Sequence, residues 1–403
     1  MSWKSQLRND SLPWSLESEN YISNQTPLWL EGSFRFDVKS STLQRNPMII
    51  IDSHLDLAWN ALQWNRDLRY SVYTLRAQEV NLSGAGRGQG TVALPEMRKG
   101  RIALCFATLL ARSTGRAEPN LDYSSAAQAY AVAQGQLAYY RALAQTGEIR
   151  IITNLNELNT HIAAWQAWEA DTQPAPPPPG LMISMESADP IMEADQLSAW
   201  KDAGIRLIGP AHYGPGRYAG GTGTEIGLTS AGVLLLREME RLNLILDLTH
   251  LSDQAFWEAL DHFNGAALAS HNNCRALVPH QRQFDDGQLR AIIERDGVIG
   301  AALDNWMIVP GWTRGAAENP RVTLDRVADH VDHVCQLAGS ALHAAIGSDL
   351  DGGFGREQSP SDLDTIADLQ RIGEILNKRG YNDEDIAAIL HGNWLRLLRR
   401  AWS

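Results

Sequence analysis

Residues 48–56 read MIIIDSHLD, an apolar, β-branched run that stops on His54-Leu55-Asp56. A short hydrophobic run of this kind suits a strand buried on both faces of a parallel sheet. The same pattern recurs down the chain. GLMISME (180–186) closes on Glu186, NLILDLTH (243–250) on His250, AALASH (266–271) on His271 and HAAIGSD (343–349) on Asp349. Metal-competent side chains at the carboxyl ends of many strands are what a (β/α)₈ barrel enzyme needs, because that rim is where such barrels build their sites. An open doubly wound sheet would gather its site at one switch point.

Working outward, eight runs read as strands: 48–53, 101–108, 181–186, 205–211, 243–248, 266–270, 298–303 and 343–349. Amphipathic helical patterns lie between them, at 124–146, 231–242, 253–263, 286–296, 322–338 and 361–379. This alternation implies a parallel sheet with helices outside it. The expected fold is therefore α/β, a (β/α)₈ TIM barrel of the metal-dependent hydrolase type spanning 48–403. Residues 1–47 show no clear period and read as an extension packed on the barrel or on a neighbouring subunit. QPAPPPPG (173–180) reads as a stiff polyproline loop, not a domain boundary. Asn382 is expected to start a last helix, with acids in its first turn and arginines in its last.

A single barrel accommodates all 403 residues. The net charge of −12, from 35 basic and 47 acidic residues, argues against a nucleic-acid partner, which calls for concentrated Lys and Arg. Cys105, Cys274 and Cys335 are too few and too scattered for a disulfide framework and suit a reducing compartment. No apolar leader and no run of membrane-spanning length is visible, so a cytoplasmic protein without membrane contact is expected.

Alternate residues of an extended segment face the same side, so His54 and Asp56 can reach one cation together. Alone, such a pair is weak. It gains force from Glu186, whose carboxylate could bind one metal or bridge two, and from His250 and His271, which close consecutive strands and should be rim neighbours. His161, His262, His330, His333 and His343 read as surface or packing residues, and His280 and His391 carry only a weak case.

Taken in order, these motifs resemble the membrane (renal) dipeptidase family of zinc peptidases. IDSHLDLAW is similar to that family's D-G-H-N-D-L-P-W, DLTHLSD to D-L-S-H-x-S, ASHNNCRAL to S-H-S-N-x-R-A-L, and IGSDLDG to G-S-D-F-D-G. ISMESAD, VALPEMRKGRIALCFAT and AAILHGNWLRLL resemble further family segments, so the likeness runs over roughly residues 48–400. It implies two Zn²⁺ per chain, one held by His54, Asp56 and Glu186 and one by Glu186, His250 and His271, with Glu186 and a hydroxide bridging them. It further implies that Asp349 moves the proton, that His212 stabilises the oxyanion, and that Arg282 binds the substrate's C-terminal carboxylate, with Arg275 as the alternative. The implied activity is hydrolysis of dipeptides by a homodimer or larger homo-oligomer of the family's bacterial cytoplasmic branch. A related dinuclear amidohydrolase acting on N-acyl amino acids or lactams is the second reading, and a non-catalytic metal-binding barrel the third. The chain departs from the family at Ser53, Leu55 and Ser187-Ala188. The glycine-rich loop YGPGRYAGGTGTEIG (213–227) also departs, which bears on substrate choice more than on hydrolysis.

Overall fold

The computed structural model describes residues 47–116, 120–171 and 175–403. The expectation for the extension at 1–47 falls almost wholly outside them, as do residues 173–174 of the proline-rich stretch. Among the described residues there are nine strands: β1 (Ile50–Leu55), β2 (Ile102–Leu110), β3 (Arg150–Ile151), β4 (Gly180–Glu186), β5 (Ile205–Gly209), β6 (Ile245–Asp247), β7 (Ala267–Leu268), β8 (Ile299–Ala301) and β9 (Ala344–Ile346). Eight correspond to the expected runs. The two-residue β3, too short for any periodicity to show, pairs with the start of β4 before β5 takes over that edge.

All pairings are parallel, in the order β7-β6-β5-β4-β2-β1-β9-β8. The ring closes where Ala269, just past β7, bridges Ile299 of β8. Side chains alternate across this wall. On β4, Met182 joins an inner cluster with Leu104, Phe106, Leu207 and Ile245, whereas Leu181, Ile183 and Met185 pack in the layer under the helices. The last helical segment supplies Trp394 to the inner cluster, its ring edge-on to Phe106 at 5.3 Å and its indole N–H donating to the Ile346 carbonyl at 3.0 Å.

Most helices begin and end close to where their patterns do. The expected helix at 361–379 is the exception. Thr365 and Asp368 form a capping box around a 3₁₀ turn at Ile366–Leu369, and the α-helix runs from Gln370 to Lys378. Asn382 caps the C-terminal segment by accepting from the Asp385 amide, and a π turn at Ala388–Gly392 interrupts it. The three cysteines are free and buried. No helix among the described residues is long and apolar enough to cross a membrane.

Candidate metal centre

Leu104 and Phe106 of β2 and Met182 of β4 face the inner cluster, so by alternation Thr108 and Glu186 stand on the same side at the carboxyl-end rim. His54 and Asp56 arrive there from β1. His212, His250, His271 and Asp349 sit three residues beyond the last residues of β5, β6, β7 and β9 respectively, on the turns that leave the strands. Two of those turns are strained, for His250 and Asp349 hold φ of 68° and 57°, a left-handed region that favours glycine. Such strain at a functional turn leaves no mark in a hydrophobic pattern.

The side chains converge on Glu186. Its Oε2 lies 3.5 Å from His54 Nε2, and its Oε1 lies 3.3 Å from His250 Nε2 and 3.4 Å from His271 Nε2. His54 Nε2 is also 4.0 Å from Asp56 Oδ1 and 3.8 Å from Asp349 Oδ1. Three groups are each compact enough to surround an ion: His54–Asp56–Glu186, Glu186–His250–His271, and His54–His271–Asp349, the last sharing a histidine with each of the others. All five expected ligands are buried.

These contacts suit a cation better than a hydrogen-bond network. The His54 Nε2 atom is buried without a hydrogen-bond partner. His250 and His271 point their Nε2 atoms at each other across 3.2 Å, while their Nδ1 atoms meet hydroxyls, Thr222 Oγ1 at 3.1 Å and Ser270 Oγ at 2.9 Å. Outer partners of that kind aim an imidazole at a metal. Burial holds His250 and His271 well below the ordinary imidazole range, keeping them neutral and ligand-competent. Burial would lower His54 too, but the field of Glu186, Asp56 and Asp349 overrides it and raises the ring to about 10. Negative charge thus outweighs positive at that end, as a site built for cations requires. Thr108 donates its hydroxyl to Asp56.

Around this cluster opens a cleft of about 950 Å³. Three expected substrate-side residues line it: His212, Arg282 and Asp349. Arg282 is 2% exposed, its guanidinium anchored on Asn272 Oδ1 (2.8 Å) and the His271 carbonyl (2.9 Å), with Nε unpartnered. Arg275 is instead engaged in a two-pronged ion pair with Asp253 and does not line the cleft.

Arg112, which no motif singled out, touches His212 Nδ1 at 3.1 Å. A guanidinium only donates, so Nδ1 accepts and the ring proton of the neutral form sits on Nε2, 3.6 Å from Glu186 Oε1. Burial lowers His212 to about 3, with Arg112 and Arg282 adding to the effect. The glycine-rich loop also acquires a purpose. It doubles back on itself so tightly that a Cβ on Gly221 would stand 1.8 Å from the His212 carbonyl oxygen. That close approach delivers Thr222 to His250. The remaining histidines lie away from the cluster: His161, His330 and His343 bond backbone carbonyls and His333 bonds Asp286.

A family model described as membrane dipeptidase, peptidase family M19, matches residues 39–402. The chain belongs to the membrane dipeptidase family. Membership makes it a hydrolase of the metallo-dipeptidase class. An uncharacterized protein from the pqqA 5′ region of Klebsiella pneumoniae is 33% identical over 52% of this chain and 77% of its own length. An uncharacterized dipeptidase of Schizosaccharomyces pombe is 30% identical over 50% of this chain, which spans only 48% of that relative. Among solved structures, a Rhodobacter sphaeroides metallopeptidase liganded with a phosphinate mimic of L-Ala-D-Ala superposes with a TM-score of 0.70. It is 24% identical and covers 88% of this chain and 100% of its own, a likeness of fold.

Proposed function

We propose that this chain is a dinuclear zinc dipeptidase that hydrolyses dipeptides with a free C-terminal carboxylate. One observation carries the reading: the two oxygens of Glu186 face different ligand sets, Oε2 towards His54 and Oε1 towards His250 and His271. His54 and Asp56 would complete one site and His250 and His271 the other, a His and carboxylate mixture that suits zinc. Two divalent ions held there supply Lewis-acid polarisation of the scissile carbonyl and activation of water at neutral pH.

The chain's own residues do the rest. Arg282 offers a fixed, uncompensated guanidinium to the C-terminal carboxylate and so sets the peptide's register. His212, neutral and with its proton on Nε2, donates to the carbonyl oxygen as negative charge develops on it. Burial raises the Asp349 carboxyl well above its usual range, with the charges of Asp56 and Glu186 adding to the shift. Placed 3.8 Å from His54 Nε2 at the edge of the ligand cluster, this carboxyl can carry a proton from the attacking water to the leaving amine.

Protein purified without chelator should carry about two equivalents of divalent metal and release amino acids from L-Ala-L-Ala or L-Ala-D-Ala. A single ion that added metal cannot supplement would refute the shared carboxylate. Turnover of N-acyl amino acids with no cleavage of free dipeptides would favour the wider amidohydrolase reading.

A further inference from the structure

The chain as a whole is acidic, yet five arginines and no lysine line the cleft, together with four carboxylates. Three of those carboxylates, Asp56, Glu186 and Asp349, gather at the ligand cluster. The fourth, Asp304, is engaged on both oxygens, accepting from Trp306 Nε1 and from Gln358 Nε2, each at 2.7 Å. None of the four stands opposite an arginine as an ion-pair partner.

The five arginines divide by what holds them. Arg87 pairs with Glu79 at 2.9 Å, and Arg112 approaches Asp122 at 3.6 Å besides touching His212. Arg282 lies at the bottom of the cleft in the position suited to a terminal carboxylate. Arg116 and Arg314 remain, both exposed, on the chain that follows β2 and on the chain that follows β8. Among the described residues neither is ion-paired. Arg314 is nonetheless held in place, donating from Nε to Gln358 Oε1 and from Nη2 to the Gly353 carbonyl. It is a guanidinium oriented by neutral acceptors; Gln358 also donates to Asp304, which feels the Arg314 charge, but the two form no direct ion pair.

We propose that the site selects dipeptides carrying a second carboxylate, an acidic side chain, and that Arg116 and Arg314 at the mouth bind it. The proposal rests on the dipeptidase reading and narrows its substrate class. A concave site with cationic groups and apolar walls focuses its field on an incoming anion. A guanidinium already anchored loses less freedom on pairing with a carboxylate than a loose lysine does.

Glu and Gln side chains have nearly the same shape and differ in charge, so matched peptides isolate the effect. Steady-state rates should be compared for Ala-Glu against Ala-Gln and for Glu-Ala against Gln-Ala, with Lys-Ala as the opposite charge. The better acidic peptide should exceed its Gln counterpart by about tenfold in kcat/KM. The gain should lie in KM and shrink at high ionic strength. In the double variant R116Q/R314Q the Glu-to-Gln ratio should fall to about one, and Arg314→Glu should shift preference towards Lys-Ala. Each ratio is taken on a single enzyme, so loss of folded protein cancels. Equal rates for Glu and Gln peptides, or a preference for Lys-Ala in the unaltered enzyme, would overturn the proposal. A ratio unchanged in the double variant would remove Arg116 and Arg314 from it. Failure to cleave any free dipeptide would instead overturn the dipeptidase reading beneath.

Discussion

The tasks proposed for Asp349 and Arg282, moving a proton and binding a carboxylate, are separable by substitution. Asp349→Asn keeps size and polarity but cannot take up a proton. Its kcat should fall by about 10²–10⁴-fold while metal content stays constant. Near-normal turnover by the metal-loaded variant would show that the proton travels elsewhere. Arg282→Ala should act on KM, raising it by about 10–100-fold for free dipeptides, the range for loss of a hydrogen bond to a charged group. It should leave amidated dipeptides, already poor, almost unchanged; an equal loss on both would contradict carboxylate binding. The five candidate ligands were legible in the sequence because each follows an apolar run. Thr108, Thr222 and Arg112 were not, since they act across strands and loops, whereas Ser270 adjoins the His271 that it orients. A hydroxyl that orients a distant imidazole has no local signature. Arg112 lies 100 positions from the His212 it touches.

Eight of the nine described strands could be recognised individually because each lies in a mostly apolar run, while their lengths could not. Expected strands of five to seven residues shrink to three at β6, β8 and β9 and to two at β7, as the chain turns early to present its rim residues. Helices add a support that no pattern announced. On the helix Leu324–Ala338, His330 accepts from the Cys274 amide at 3.1 Å and donates from Nε2 to the Ile308 carbonyl at 3.0 Å, pinning the chain just after His271. Burial lowers its pKa to about 4. The unfolded chain would protonate this ring near 6.5, so the unfolded state binds more protons between the two values. The contribution of neutral His330 is therefore whole above about 6.5 and is lost as pH falls towards 4. Between pH 7 and pH 5 the unaltered protein should lose about 2 kcal/mol more stability than His330→Gln. Urea unfolding of both proteins at the two pH values measures the difference, and parallel losses would contradict the assignment.

For the whole molecule, strand-and-helix alternation was enough to indicate a barrel, but not how evenly it is laced. Strands β2 and β4 run in register from Leu104 beside Gly180 to Leu110 beside Glu186. Strands β6 and β7 meet only at Leu246–Ala267 and Asp247–Leu268, and a single bridge joins β7 to β8. The wall therefore has a densely stitched side, β1-β2-β4, and a seam along β6-β7-β8, while the joint of β1 to β9, Asp52 beside Ile346 alone, is as thin as the seam. His54, Asp56 and Glu186 belong to the first, and His250 and His271 to the second. An ion shared through Glu186 would work as a clasp across that seam, as well as a reagent. Hydrogen–deuterium exchange should reveal it: chelation should speed exchange of amides at 244–250 and 266–271 well before those at 102–110 and 180–186. Uniform acceleration would mean that the ions fasten nothing in particular. A clasp placed there also ties catalytic readiness to the integrity of the barrel, so an enzyme stripped of metal would be both idle and first in line for proteolysis along its seam.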